Sequence, residues 1–305
     1  MSDLTDKELI DELKKRFTLN NEALKEVQDL NEKLKKVNQK LEDSESLKGH
    51  FISNITNEII NPFASILALS KNILSVKKEN WKKVFSMVSL IYSEAFNLDF
   101  QLRNIFVAAK LEAGEVFPEI LNVDIKHIMK SVVESFKTET KKKKIRIDFK
   151  FNIKEVNNKP FFFKTDPEKL RLIMSNLLSN AVKFSSDNSE IIVKVEIDKI
   201  DLKVLVKDYG SGVSLENQKI IFDRFKRIDS GINSIHRGHG LGLSINKALL
   251  DLLNGKIDFK SEEGKGTDFQ FSIPESSGQV SGFAFDGNEL FFEDQNDVDN
   301  ESETF

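Results

Sequence analysis

Cysteine is absent from the 305 residues, and only four residues are histidine. Disulfide and thiol chemistry are thereby excluded, and zinc-finger or iron–sulfur sites lack their usual ligands. Charge of one predominant sign is missing too. The 45 basic residues nearly balance the 49 acidic ones, for a net charge of −4, so no broad basic surface for nucleic acid is expected. No apolar run reaches the length of a membrane span, and the charged start MSDLTDKELIDELKK does not read as a signal peptide. These absences point to a cytoplasmic chain that receives its signal from a soluble partner or ligand.

What is there begins with helix. From about residue 5 to 50 the sequence is charged and nearly free of glycine and proline. Val27, Leu30, Leu34, Val37 and Leu41 follow the 3,4 spacing of a coiled-coil seam. The spacing resumes at Ile52, Ile55, Ile59, Pro62, Ile66, Leu69 and Ile73 after a shift of one heptad plus four residues, which is a stutter. Ser44, Glu45, Lys48 and Gly49 make that joint weak, and two readings stay open: a local imperfection, or a joint that passes a rotation along the helix.

Val84, Val88, Ile91, Ala95, Leu98, Leu102, Ile105 and Ala109 give a second helix after a polar turn at Lys77–Asn80. Two such helices bury only part of their apolar stripe alone, so pairing with a second copy into a four-helix bundle is expected, and the chain is expected to be a homodimer. With Ile52 at position a, Asn57 falls at the outward position f, and Pro62 should bend the helix just beyond it.

Composition changes after Gly114. Ile145–Phe151, Ile191–Ile197 and Lys203–Lys207 alternate like half-buried strands, with helical segments between them. The expected fold class is α+β, with helices on one face of a mixed sheet in an α/β sandwich. The chain then divides into a coiled-coil helix (1–48), a helical hairpin (49–114), an α/β domain (115–275) and an acidic tail (276–305). The tail reads as disordered by composition, although Phe283, Phe285, Phe291 and Phe292 could form a docking segment.

Five short motifs within the α/β domain carry chemistry. DPEKLRLIMSNLLSNAVKFS places Asn176, Asn180 and Lys183 at i, i+4 and i+7 on one helix face. VKDYGSGV contains Asp208, Gly210 and Gly212, and IFDRFKRID contains Phe222 and Phe225. RGHGLGLSI contains Gly238, His239, Gly240, Leu241 and Gly242, and GKGTDFQFSIP contains Thr267. Glycines at a helix start free backbone amides that can cradle phosphate.

In this order and spacing, the motifs resemble the N-box, glycine boxes and phenylalanine box of the ATPase superfamily shared by histidine kinases, gyrase and the heat-shock chaperones. FISNITNEIINPFASI similarly resembles the phosphoacceptor box of sensor histidine kinases, with Glu58, Asn61 and Pro62 in place but Asn57 where the histidine belongs. The resemblance spans about residues 45 to 275.

It implies ATP and Mg²⁺ as cofactors, with Asn180 as the main magnesium ligand, Asn176 nearby and Lys183 facing phosphate. Asp208 would accept from the adenine amino group, Phe222 and Phe225 would anchor a mobile lid, and His239 could touch phosphate. The hydrolytic relatives carry a glutamate at the position of Asn176. An asparagine lacks the basicity to activate water, so ATP should be held without being hydrolysed.

Asn57 is a poor nucleophile, because its amide lone pair is delocalised into the carbonyl, unlike that of imidazole. His50 lies two helical turns away, about 10 Å along the axis, too far to substitute without moving the ATP-binding domain. His127 and His236 have no motif around them.

Whether the chain is an enzyme is thus left open. One reading is a dimeric, ATP-responsive regulator without an acceptor histidine. A second is an enzyme that phosphorylates another histidine kinase in trans or dephosphorylates the receiver domain of a response regulator, since Glu58 and Asn61 match the family positions that orient water. A third is an adaptor with an idle ATP site. A histidine-to-asparagine change made in an otherwise conventional sensor kinase would leave the same sequence.

Overall fold

The computed structural model describes residues 6–76, 80–153, 161–224, 240–277 and 283–284. Helix α1 runs Asp6–Leu74 and α2 runs Trp81–Ala113. The chain separates into two compact units, residues 1–54 and 55–305. Asn80 precedes α2 without a side-chain capping bond, and Gly114 ends the helix with φ +70°, a left-handed conformation that glycine adopts without a Cβ penalty. Helical backbone continues both through the expected weak joint at Ser44–Gly49 and through Pro62. No described helix is long and apolar enough to cross a membrane.

The first unit is helical throughout its described part, and its apolar side chains are bare. Ile10, Leu13, Phe17, Leu24, Val27, Leu30, Leu34 and Val37 are each more than half exposed.

In the second unit, α2 is followed by β1 (Leu121–Asp124), α3 (Ile125–Ser135), α4 (Lys137–Lys143), β2 (Arg146–Phe151), β3 (Phe162–Thr165), α5 (Pro167–Phe184), β4 (Glu190–Asp198), β5 (Asp201–Asp208), α6 (Gly242–Leu252), β6 (Lys256–Glu262), β7 (Gly266–Pro274) and β8 (Phe283–Ala284). The main sheet has the order β2-β4-β5-β7-β6. Only the β2–β4 pair is parallel, so the sheet is mixed as expected. Buried and half-buried residues alternate along β4 and β5: Ile191, Val193 and Val195 face inward at 0 % exposure, with Val193 opposite Val206 and Val195 opposite Val204. Against this face pack Ile128, Met129 and Val132 of α3, Ile173 and Leu177 of α5, and Leu249 of α6, all buried to 1 % exposure or less. That is the α/β sandwich the periodicity indicates, and it forms the domain core.

A second, three-stranded sheet, β3-β1-β8, was not legible in the sequence. Its strands are short and lie against helices, so alternation has no length in which to show. Phe283–Ala284 of the acidic tail form one of these strands, so this part of the tail is ordered by backbone pairing rather than lacking structure.

The helices of the sandwich start where the sequence provides a cap. Asp166 is buried at 1 % exposure and caps α5, its Oδ1 accepting from the Glu168 and Lys169 N–H groups at 3.1 and 3.0 Å, with Pro167 in the first turn. At the other end of α5 the Lys143 ammonium donates to the carbonyls of Val182, Lys183 and Ser185 at 2.9, 2.7 and 3.1 Å. A cation on otherwise unpaired C-terminal carbonyls fixes the end of the helix that carries the N-box.

Helix α2 meets the sandwich through a face separate from its apolar seam. Ser93 is 3 % exposed, donates to Glu139 Oε1 at 3.1 Å and accepts from Lys142 Nζ at 2.8 Å. Phe96 and Phe100 meet Phe136 edge-to-face at centroid distances of 5.8 and 6.5 Å.

Candidate nucleotide site

The site is built at the end of β5, where Asp208 leaves the sheet. Its Oδ1 accepts the N–H of Gly210 at 2.9 Å and that of Thr267, on β7, at 3.2 Å. Both donors land on one oxygen, so the carboxylate is clamped while Oδ2 is engaged by neither. Burial pushes the Asp208 pKa above the usual carboxylate range, and the two backbone donors oppose that shift. A fixed, partly desolvated acceptor of this kind suits an exocyclic amine.

Three glycines make the close approaches around it. A Cβ on Gly210 would collide with the Phe184 carbonyl at the end of α5, one on Gly212 with the Glu262 carbonyl, and one on Gly266 with the Asp208 carbonyl. Gly212 and Gly266 also have φ of +65° and +105°. The glycine requirement is therefore steric, and it draws the N-box helix, β5 and the β6–β7 turn onto one spot. Ser261 ties the turn together: its Oγ donates to the Gly266 carbonyl at 3.0 Å, shares a 2.8 Å hydrogen bond with Thr267 Oγ1, and accepts from the Val213 N–H at 2.8 Å.

On α5, Asn176 is buried at 3 % exposure, whereas Asn180 and Lys183, further along the same face, are half-buried. Asn176 Nδ2 donates to Asn246 Oδ1 at 2.9 Å, and Asn246 Nδ2 donates to the Ile173 carbonyl at 3.0 Å. This pair clamps α5 to α6. Asn176 therefore joins the two helices that flank the site, and Asn180 is the more open of the two amides. The Lys183 ammonium lies 4.8 Å from the Phe184 ring centroid.

Helix α6 begins at Gly242, where an added Cβ would stand 3.3 Å from Asn176 Oδ1. Among the described residues no side chain caps this helix, which leaves its first N–H groups for another acceptor. Leu241, the residue before it, is buried at 2 % exposure, and Gly240 has φ +68°.

Phe222 packs edge-to-face on Phe259 at 5.8 Å, which in turn stacks on Phe269 at 5.8 Å, so the start of the phenylalanine box is held against the sheet. Phe225, Gly238 and His239 lie outside the described residues, as do the side chains of Asn57 and Glu58. Asn61 is exposed and Pro62 buried.

The structure thus brings Asn176, Asp208, Gly210, Gly212, Gly242 and Thr267 into one network from α5, β5, α6 and β7. The residues missed in the sequence are the ones that hold this set: Asn246, Ser261 and Lys143. Asn246 had a weak signal, since it follows Gly242 by one helical turn. Lys143 sat in a lysine run that resembles solvated surface.

Magnesium and ATP can be tested against these residues. Among the described residues no group of three His, Cys, Asp or Glu side chains forms a metal cage. A neutral amide such as Asn180 is a suitable single ligand for a Mg²⁺ ion whose remaining ligands are phosphate oxygens and water.

Residues 165–277 match the family described as histidine kinase-, DNA gyrase B-, and HSP90-like ATPase, which defines the class of this α/β domain. Over 236 residues the chain is 29 % identical to histidine protein kinase 1 of Candida albicans, a match covering 76 % of this chain and 9 % of that protein. It is 27 % identical over 256 residues to the signal transduction histidine-protein kinase BarA of Escherichia coli K12, covering 83 % and 27 % respectively. It is 25 % identical over 266 residues to the circadian input-output histidine kinase CikA of Synechococcus elongatus, covering 85 % and 34 %. The α/β domain belongs to that ATPase family, the relatives that the chain resembles beyond it are histidine kinases, and the chain spans about a third or less of their length. Among solved structures, full-length ShkA in complex with AMPPNP superposes with a TM-score of 0.51 over 77 % of this chain and 47 % of that one, at 23 % identity, a likeness of fold.

Proposed function

We propose that the chain binds ATP–magnesium and acts as a dimeric, ATP-responsive regulator in two-component signalling, without phosphorylating itself at residue 57. The observation that carries the nucleotide part is the Asp208 carboxylate, clamped on one oxygen by Gly210 and Thr267. Adenine would be recognised by Asp208 and phosphate by the uncapped start of α6, with Lys183 and Asn180 on the same side of the site. Bound Mg²⁺ would neutralise phosphate charge, and Asn180 would hold it. Asn176, an amide bonded to Asn246, offers no base to activate water, which supports retention of ATP rather than its hydrolysis.

Asn57 supports the absence of self-phosphorylation, because an amide nitrogen is not a phosphoryl acceptor. Dimerisation is supported by the exposed apolar residues of both long helices, among them Ile60, Phe63 and Leu67 on α1 and Phe85, Val88 and Tyr92 on α2. The natural partners under this reading are a second copy of the chain and a receiver domain or another histidine kinase.

One observation favours a second reading. Asn61 is exposed on α1, where it could help orient water toward a receiver aspartyl phosphate, so removal of phosphate from a response regulator is the enzymatic alternative. An adaptor with an idle site would lose nothing when the nucleotide site is damaged.

Calorimetric titration of the full chain with ATP in magnesium tests the proposal. Saturable binding that falls by about two orders of magnitude in Asp208→Ala is expected, as for loss of a charged hydrogen-bond partner. Absent binding, or binding indifferent to that substitution, would remove the reading.

A further inference from the structure

We propose that the outer edge of β1 is a strand-docking edge that accepts an extended peptide in parallel register, and that the chain's own segment around Phe283–Ala284 is its resident, displaceable occupant. The inference rests on backbone pairing and is independent of the nucleotide site.

The path of the chain after the main sheet carries it. Leaving β7 at Pro274, the chain first bonds to both sheets: the Glu275 N–H donates to the Ile200 carbonyl at 2.9 Å, and the Ser276 N–H donates to the Lys164 carbonyl of β3 at 3.0 Å. The Lys164 N–H in turn donates to Glu275 Oε1 at 3.4 Å. Both polar groups of Lys164 are thus taken by the departing chain at β3. The chain next pairs at β1, on the side away from β3, where Phe283 sits opposite Asn122 and Ala284 opposite Val123. β1 therefore has a neighbour on each side, antiparallel β3 and parallel β8.

The two neighbours differ in extent. Four residue pairs join β1 to β3, whereas only two join β1 to β8. Val123 is fully buried, so β1 itself is anchored in the core. An anchored strand with a two-residue partner offers a ready backbone template to any extended segment that pairs over a greater length. Recognition by main-chain hydrogen bonds asks for an extended peptide without proline at the pairing positions, and little else.

The occupant is in cis, joined to β7 by only eight residues between Pro274 and Phe283. Such a tether gives it a high effective concentration and explains how so short a strand can hold the edge. Beyond the edge, β1 passes without a break into α3, and Asp124 is both the last residue of the strand and the helix cap, its Oδ1 accepting from the His127 N–H at 3.0 Å.

The test uses the full chain with Ala284→Pro, which removes a backbone donor and disfavours pairing at β8, and a fluorescent peptide of residues 278–290. The peptide should bind the Ala284→Pro chain at least about tenfold more tightly than the unchanged chain, because the cis competitor is gone. The same peptide carrying proline at its Ala284 position should not bind. Hydrogen exchange gives a readout that needs no peptide: backbone amides of Leu121–Asp124 should exchange faster in the Ala284→Pro chain and regain protection when the peptide is added. Matching far-ultraviolet circular dichroism of the two chains controls for misfolding. Equal peptide binding by both chains, binding by the proline peptide, or unchanged exchange at β1 would each overturn the proposal.

Discussion

The sandwich and the long helices treat their apolar residues in opposite ways. In the sandwich, Ile191, Val193, Val195, Leu202 and Val204 are fully buried between strands and helices of one chain. On the helices, Leu30, Leu34 and Val37 of α1 are 55–63 % exposed, and Phe85 of α2 is 80 % exposed. A mixed sheet covered by helices completes its core locally. A helix with a 3,4 seam exposes the seam until another helix covers it. The ATP-binding part should accordingly fold on its own terms, and the helical part should depend on a second copy.

The largest expected effect would break the first half of that contrast. Leu177→Asp places a carboxylate where α5 meets the sheet core, at 0 % exposure. It should destabilise the sandwich by at least about 4 kcal/mol, enough to lose its cooperative melting transition in calorimetry. The corresponding change on the helices, Phe63→Asp with Phe85→Asp, should instead leave that transition in place and shift light scattering from dimer to monomer at micromolar concentration. A chain that is monomeric before substitution would contradict the second half.

Next in size is the amide clamp between α5 and α6. Asn246→Ala removes the acceptor of Asn176 and the donor to Ile173 in a fully buried place. A loss of about 1 to 3 kcal/mol in urea unfolding is expected, since the buried Asn176 amide is left with only its 3.4 Å bond to the Gly242 carbonyl and the side-chain tie to the Ile173 carbonyl is gone. Asn246→Asp should not rescue it, because the donor to the Ile173 carbonyl stays missing.

The smallest effect sharpens the account of Asp208. Its folded pKa is raised by burial, so the folded chain holds this proton more tightly than the unfolded chain does. The stability linked to this group is fully present below the ordinary aspartate pKa and is lost as pH rises through the raised value. Asp208→Asn removes that penalty while leaving an oxygen for Gly210 and Thr267. The variant should therefore melt modestly higher than the unchanged chain at neutral pH, with the gap closing on acidification, and should bind ATP more weakly. Thermal unfolding across pH 3 to about 8, the usual carboxylate range and above, checks both signs.

Strands β2, β4 and β5 were legible because they are six to nine residues long, enough for apolar residues to recur at every second position: Ile147, Phe149 and Phe151; Ile191, Val193 and Val195; Leu202, Val204 and Val206. β1 and β3 have four residues each and escaped notice for want of a period. The site shows the same division. Gly210 and Gly212 were visible because only glycine fits where backbone carbonyls press close. Asn246, Ser261, Lys143 and the Ser93 contact with Glu139 and Lys142 depend on segments that meet only in the fold, and local spacing carries no trace of such meetings.

Under the proposed function, an ATP site serves a helix whose acceptor position holds Asn57 in place of histidine. Incubation with γ-phosphate-labelled ATP and magnesium, run side by side on the unchanged chain and on Asn57→His, tests it most directly. No label is expected on the unchanged chain, and an acid-labile, alkali-stable label is expected on Asn57→His that vanishes when Asp208→Ala is added. Label on the unchanged chain, at His50 or any other residue, would contradict it.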